Sequence, residues 1–342
     1  MIAAAALTGD GPLPPRSFAP AAGPPAACHV PVMLGEVVAA LAPRAGGVYV
    51  DCTFGEGGYT RAILAAAECR VFAVDRDPRA ILLARGLADA NDGRLEVLEG
   101  CFGDLEALLA ARGVTSVDGI AFDLGVSSAH LDEAERGFSF RFDGPLDMRM
   151  GAEGETAADL IARLPEQELA RIIFEYGDER RARRVAQAIV ETRAVEPILR
   201  TGRLASLVRR MVPASRDGID PATRTFQALR MAVNDEPGEL LRGLAASERL
   251  LAPGGHLGIV AFHSFEDRVV KDFLRQRAGN LPGPSRHQPL AITGAARQEP
   301  SFRLVERRPL VPTAAEIAAN PRSRSARLRV AERTRAAPIP VS

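Results

Sequence analysis

The chain has 342 residues, 46% of them hydrophobic, and its 43 basic and 43 acidic side chains give a formal charge of zero. That length predicts one large domain with an insertion, or two domains. No apolar run approaches the ~20 residues that cross a bilayer. Ile2 to Leu7 is short and lacks a preceding basic residue, which speaks against a signal peptide. Cys28, Cys52, Cys69 and Cys101 form no C-x-x-C pair, so reduced thiols in a cytoplasmic protein without a metal are expected.

The zero charge hides a division. Residues 29–160 hold 11 Arg against 22 acidic residues, a net of −11; residues 161–296 hold 21 basic against 16 acidic, a net of +5; residues 297–335 hold 10 against 4, a net of +6. An acidic part followed by a basic remainder suits an enzyme that keeps a cofactor in one region and draws a polyanion to the other. Chance scatter over solvated faces would give the same figures.

Met1 to Ala27 is rich in Pro, Ala and Gly, and residues 1–27 are expected to be a disordered leader. Leu34, Val37, Val38 and Leu41 then follow helical spacing until Pro43 and the Gly46-Gly47 pair. Strands are predicted at 48–52, 70–74, 95–98 and 119–124, with helices at 59–67, 78–87 and 104–111 between them. Such alternation predicts a parallel sheet covered on both faces. From 158 to 212 the apolar residues recur at i, i+3, i+4 and i+7, as in Leu204, Leu207, Val208 and Met211, with no strand between. Residues 130–225 therefore read as a helical insertion splitting a sheet domain of 28–129 and 226–335. Thr201 suits an N-cap and Pro165 a first-turn position. Its Arg180, Arg181, Arg183, Arg184, Arg209 and Arg210 are either phosphate contacts or a solvated helix face. A helix at 239–251 and a strand at 256–262 resume the sheet. The stretches 302–308 and 325–333 could close it as an antiparallel edge, and 336–342 is expected to be a disordered tail.

The organising stretch is Val48 to Gly58, a strand breaking into Gly55, Gly57 and Gly58 before a helix. Such a turn lets backbone N–H groups approach a nucleotide. Thr60 stands where a dinucleotide fold wants its third glycine, which disfavours NAD. Asp75, ending the second strand, suits a ribose diol of NAD or of S-adenosylmethionine alike. Asp123 ends the fourth strand beside the expected reactive group, where a carboxylate would orient an amine; its plainer use is a turn bond to Gly125 or Val126. None of the cysteines ends that strand, which disfavours covalent attack on a pyrimidine carbon. His263 could be a general base or a satisfied strand-end histidine, and His130 has the same standing. Phe102 is a core residue or an adenine contact.

Several strings together resemble the RsmH (MraW) family. They are His29 to Met33, Asp51 to Gly58, Ala73 to Pro78, Phe122 to Ser128, Arg136 to Phe140, Gly144 to Met150, Thr223 to Arg230, Phe262 to Arg268 and Asn320 to Ser325. The resemblance spans about 29–333. It implies an α/β fold, a Rossmann-like S-adenosylmethionine-dependent methyltransferase sheet with an inserted all-helical domain, here a candidate RNA-recognition domain. It implies methylation of a cytosine N4 in 16S rRNA, in the decoding region of the small ribosomal subunit, with no DNA and no membrane as partner. Cofactor contacts carry over to Gly57, Gly58, Tyr59, Asp75, Phe102, Asp123 and His130, with Asp123 and His263 as catalytic candidates. Tyr59 stands where many members have His, His130 where Gln is familiar, and Phe265 replaces a more usual Leu. A different class of reading is an RNA-binding ribosome-assembly factor without catalysis.

Overall fold

The computed structural model describes residues 31–214, 218–279 and 299–340, so the expected leader 1–27 lies outside the described residues. After helix α1 (Leu34–Leu41), strands and helices alternate: β1 (Val48–Asp51), α2 (Gly58–Ala66), β2 (Arg70–Asp75), α3 (Pro78–Asp89), β3 (Leu95–Glu99), α4 (Leu105–Ala110) and β4 (Val117–Asp123). Helices alone follow: α5 (Ser128–Asp132), α6 (Ala157–Arg163), α7 (Glu166–Glu175), α8 (Ala182–Arg193), α9 (Thr201–Met211), α10 (Thr223–Val233) and α11 (Glu236–Leu250). The chain closes with β5 (Leu251–Ala261), α12 (Ser264–Arg277), β6 (Phe302–Leu304), α13 (Ala314–Ala319) and β7 (Arg327–Arg333).

The seven strands form one sheet in the order β3-β2-β1-β4-β5-β7-β6. The first five run parallel, and β7 is antiparallel to both β5 and β6. This is the Rossmann-like sheet expected from the alternation. Each predicted strand has its counterpart. The winding reverses between β1 and β4, and in open parallel sheets a ligand binds beyond the strand ends at such a switch.

Each face of the sheet buries its own apolar layer. Phe72, Ile120, Phe122 and Ile259 pack with Leu240, Leu244 and Phe273 from α11 and α12. Tyr49, Val71 and Val260 pack with Val37, Ile63 and Ala84 from α1, α2 and α3. The helical segment has a third core, in which Leu169, Ile173, Val185, Leu204 and Val208 meet. Phe226 and Leu229 of α10 belong to it as well.

Other expectations are corrected. Thr201 is not a cap: it lies in the first turn of α9 after Arg200, and its hydroxyl accepts the Gly144 amide at 3.0 Å. Pro165 is the N-cap of α7 rather than a first-turn residue. Strand β5 starts five residues early, passing through Pro253 where its pairing with β4 shifts register between Val117 and Gly119. The C-terminal stretch expected to be a loose tail is tied down as far as it is described, because the Ile339 amide donates to Glu248 Oε1 at 2.9 Å.

Candidate active site

The turn after β1 is shaped by two rings. Gly55 and Gly57 have φ of 53° and 77°, a region that costs any residue with a Cβ. A Cβ on Gly57 would lie 2.6 Å from the Phe54 ring, and one on Gly58 1.8 Å from the Pro31 ring. These glycines thus admit Phe54 and Pro31 as well as any ligand. The first turn of α2 leaves amide N–H groups with no partner inside the helix.

Three carboxylates sit at the ends of neighbouring strands. Asp51 is fully buried; its Oδ2 accepts both the Thr60 hydroxyl, at 2.7 Å, and the Thr60 amide, at 3.2 Å. Burial pushes its carboxyl up to about 6, against those hydrogen bonds. Thr60, in the place of a third glycine, therefore locks the start of α2 onto the end of β1. Asp75 accepts the Gly55 amide at 2.8 Å through Oδ2 and the Asp77 amide at 2.9 Å through Oδ1. Burial again raises it, and each oxygen keeps a lone pair for a ribose hydroxyl.

Asp123 differs from both. Its amide donates to Thr53 Oγ1 at 2.6 Å. Its Oδ1 is buried and makes no hydrogen bond among the described residues, so the turn bond to Gly125 or Val126 is not made through that atom. Burial, followed by the charges of Asp51 and Glu266, pushes this carboxyl well above the ordinary carboxylate range. None of the three carboxylates is ion-paired with a basic side chain among the described residues.

His263 lies just past the end of β5, next to β4, as the N-cap of α12. Its Nε2 is 2.8 Å from Glu266 Oε1, while its Nδ1 is buried without a partner among the described residues. Glu266 Oε2 accepts the Phe262 amide at 2.9 Å. Burial works to raise Glu266, and His263 and Arg230 outweigh it to hold the carboxyl below its usual value. Arg230 grips Glu236 through two bonds of 2.7 Å and stands 3.3 Å from His263 Nε2. Glu236, His263 and Glu266 bring ligand atoms within 4.8 Å of one another; the guanidinium of Arg230 already supplies their positive charge. Nothing in the residue pattern had marked Asp51, Thr53, Glu266 or Arg230 as site residues. The pattern Phe262 to Arg268 was the available signal for Glu266, three positions after His263 as in a capping box.

At two of the expected cofactor positions the side chain already has partners within the protein. Tyr59 is 2% exposed, and its hydroxyl donates to the Val32 carbonyl at 2.5 Å, so only its backbone remains for a ligand. His130 is buried with both ring nitrogens engaged: Nε2 lies 2.6 Å from Asp77 Oδ2 and Nδ1 accepts the Ser127 amide at 3.2 Å. The ring also stacks on Phe138. Burial works to raise Asp77, but the bonds from His130 and the Arg79 amide and the charge of Arg136 bring it down to about 2. Phe102 is half-buried, edge-on to Phe122 with centroids 5.4 Å apart. Arg209 pairs with Asp220, at 2.8 Å, and lies over the Phe140 ring. Among the described residues, Cys52, Cys69 and Cys101 are free thiols, and no helix is long and apolar enough to cross a membrane.

The donor set fits a cationic nucleoside. A buried acceptor with no partner and a second carboxylate with spare lone pairs match a sulfonium-bearing ligand with a ribose diol. The sequence profile of the MraW methylase family matches residues 26–334. The chain is 60% identical over 309 residues to the "Ribosomal RNA small subunit methyltransferase H" of Paramagnetospirillum magneticum, covering 90% of this chain and 96% of that one. It is 60% identical to the protein of the same name from Rhodospirillum rubrum, covering 90% and 94%. The proteins of that name from Rhodospirillum centenum match at 60%, covering 90% and 93%. With S-adenosylmethionine as the cofactor on which site and family agree, the chain belongs to the MraW methylase family.

Proposed function

We propose that the protein transfers a methyl group from S-adenosylmethionine to the exocyclic N4 of a cytosine in 16S rRNA, in the decoding region of the small ribosomal subunit. The substrate reading rests on the names of the relatives and on the resemblance of the motifs. The observation that carries the chemistry is the pair of buried polar atoms without a partner among the described residues, Asp123 Oδ1 and His263 Nδ1, at the ends of adjacent strands. Buried polar atoms are nearly always bonded, so two orphans together call for a donor from outside the chain. A cytosine amine carries two N–H donors.

When bound, the cofactor supplies an electrophilic methyl carbon whose bond to sulfur breaks with its electron pair as the new N–C bond forms. The chain does the rest. Asp75 would hold the ribose, and the turn at Gly57 and Gly58, with the backbone of Tyr59, would bind the rest of the cofactor. Asp123 accepts one amine hydrogen and aims the nitrogen lone pair along the line of attack. Glu266 Oε1 lies 2.8 Å from His263 Nε2; with the ring proton on that nitrogen, Nδ1 has the lone pair that receives the proton the amine sheds. The base leaves its stack to reach these atoms. The helical segment and the basic C-terminal strands hold the RNA.

The test is radiolabelled methyl transfer to small-subunit rRNA, followed by digestion to nucleosides. N4-methylcytidine at one position is expected. Label on carbon or ribose would refute the chemistry, and binding without transfer would leave the protein as an assembly factor.

A further inference from the structure

Several arginines of the helical segment are neutralised locally. Arg163, Arg171, Arg200, Arg203 and Arg209 each form an ion pair with a nearby carboxylate. By contrast, Arg180, Arg181, Arg183 and Arg184, where the chain enters α8, are exposed and have no acidic partner among the described residues. Asp178 is the exposed acid beside them, and Glu179 is turned inward, its Oε1 accepting the Arg181 amide at 2.8 Å. A folded surface usually intersperses its charges, so four unpaired guanidiniums within five positions leave a local excess that an anion would neutralise.

That excess is continuous with the site. Tyr176, four residues before Arg180, meets Phe265 edge-on, with ring centroids 5.4 Å apart and planes at 74°. Phe265 is two residues from His263, and Arg268 stands over its ring at 5.9 Å. Tyr176 and Phe265 are both half-exposed, and Arg268 is exposed without an acidic partner among the described residues. The Tyr176 carbonyl is fixed by Gln227 Nε2 at 2.9 Å, which ties the aromatic pair to the rigid helix α10. Half-exposed rings interleaved with arginines are how proteins grip unpaired nucleotides: bases stack on the rings and the backbone follows the positive charge.

We propose that Tyr176, Phe265 and Arg268, continuing into the arginines at the start of α8, form the track for single-stranded RNA next to the target base. A neighbouring base stacks on the aromatic pair, and the phosphates beyond it lie on Arg180 to Arg184. The proposal rests on the RNA substrate proposed above and adds the path by which the strand leaves the site.

The experiment measures binding of a labelled single-stranded fragment of small-subunit rRNA to the full-length protein saturated with S-adenosylhomocysteine, across a salt series, alongside steady-state methylation. Tyr176→Ala is expected to weaken RNA binding about tenfold and raise KM for RNA while KM for S-adenosylmethionine stays unchanged. Tyr176→Phe, which keeps the ring, is expected to restore both. The double variant Arg183→Ala with Arg184→Ala is expected to lower the salt slope by about 1.4, at ~0.7 per lost phosphate contact on a single strand. Wild-type affinity and slope in both variants overturn the track, as does a Tyr176→Phe defect equal to that of Tyr176→Ala. A wild-type protein that binds RNA with these dependences but transfers no methyl group would instead refute the proposed function and leave the track standing.

Discussion

Two kinds of buried carboxylate coexist in this protein. Glu248, on the buried side of α11, faces Arg277 at 2.8 Å and takes a hydroxyl bond from Ser301, and Arg333 donates to its backbone carbonyl at 2.7 Å. Asp77 likewise has His130 and Arg136. At the strand ends, the Asp51 and Asp75 carboxylates accept from amides and a hydroxyl alone, and Asp123 Oδ1 accepts from nothing among the described residues. A buried charge without a counter-charge is costly, so the balanced sites read as architecture and the unbalanced ones as places where a ligand brings the missing charge. The difference teaches where to look for function: by the absence of a cation, not by the presence of an acid.

The sharpest way to break this contrast is at its extremes. Asp123→Ala should lower kcat by about 10²–10⁴-fold while calorimetry shows S-adenosylmethionine binding largely retained; unchanged turnover would remove Asp123 from the chemistry. Arg277→Ala should leave Glu248 buried and unpaired and cost about 3–5 kcal/mol in chemical denaturation, with site residues untouched. A loss below about 1 kcal/mol would mean that the pair is not architectural.

Asp51 offers a test by pH. Its folded carboxyl, at about 6, lies above the ordinary value near 3.8, so the folded state holds the proton more tightly than the unfolded one. Stability from this group is therefore present below about 4 and falls as pH rises to about 6, by about 3 kcal/mol. Asp51→Asn should flatten that part of the stability profile. Asp77 has the opposite sign, because its folded carboxyl sits at about 2. Its contribution is present above about 4 and is lost as pH falls towards 2, a loss that His130→Ala should reduce. The smallest effect is expected at Asp75→Asn, which keeps the shape but weakens the ribose bonds. A roughly tenfold rise in the Kd for S-adenosylmethionine is expected, and wild-type affinity would refute the role.

The sheet was legible because its signals are local. Alternation of apolar runs with helical spacing located all seven strands, and the glycine cluster marked the turn at the switch between β1 and β4. Helix α12 escaped the reading because its buried face includes Glu266 and Arg277, which look like solvent residues until their partners are known. Those partners are distant in the chain: Arg277 meets Glu248 from 29 residues away, and Arg333 meets the same residue from 85 away. Periodicity reports which face is buried, not which group answers which. For the same reason the hydrogen bonds of Tyr59 to Val32 and of His130 to Asp77 could not be read from the family pattern. Asp75 and Asp123 stood out because strand ends in a parallel sheet are where ligands bind, whereas Asp51, one strand over, was hidden by its bond to Thr60.

The helical segment also sets a timetable for synthesis. Strands β4 and β5 are neighbours in the sheet, yet Asp123 pairs with Val260, so the ribosome must extend the chain by well over a hundred residues before the outer side of β4 finds its partner. At roughly 5–20 residues per second, that edge stays open for many seconds. The helices made in the interval have a core of their own and can collapse while they wait. The nascent half-sheet is thus the stage at which this chain is most exposed to mispairing, and the methyl-transfer centre, drawing on both sides of the gap, comes into being only with the last third of the polypeptide.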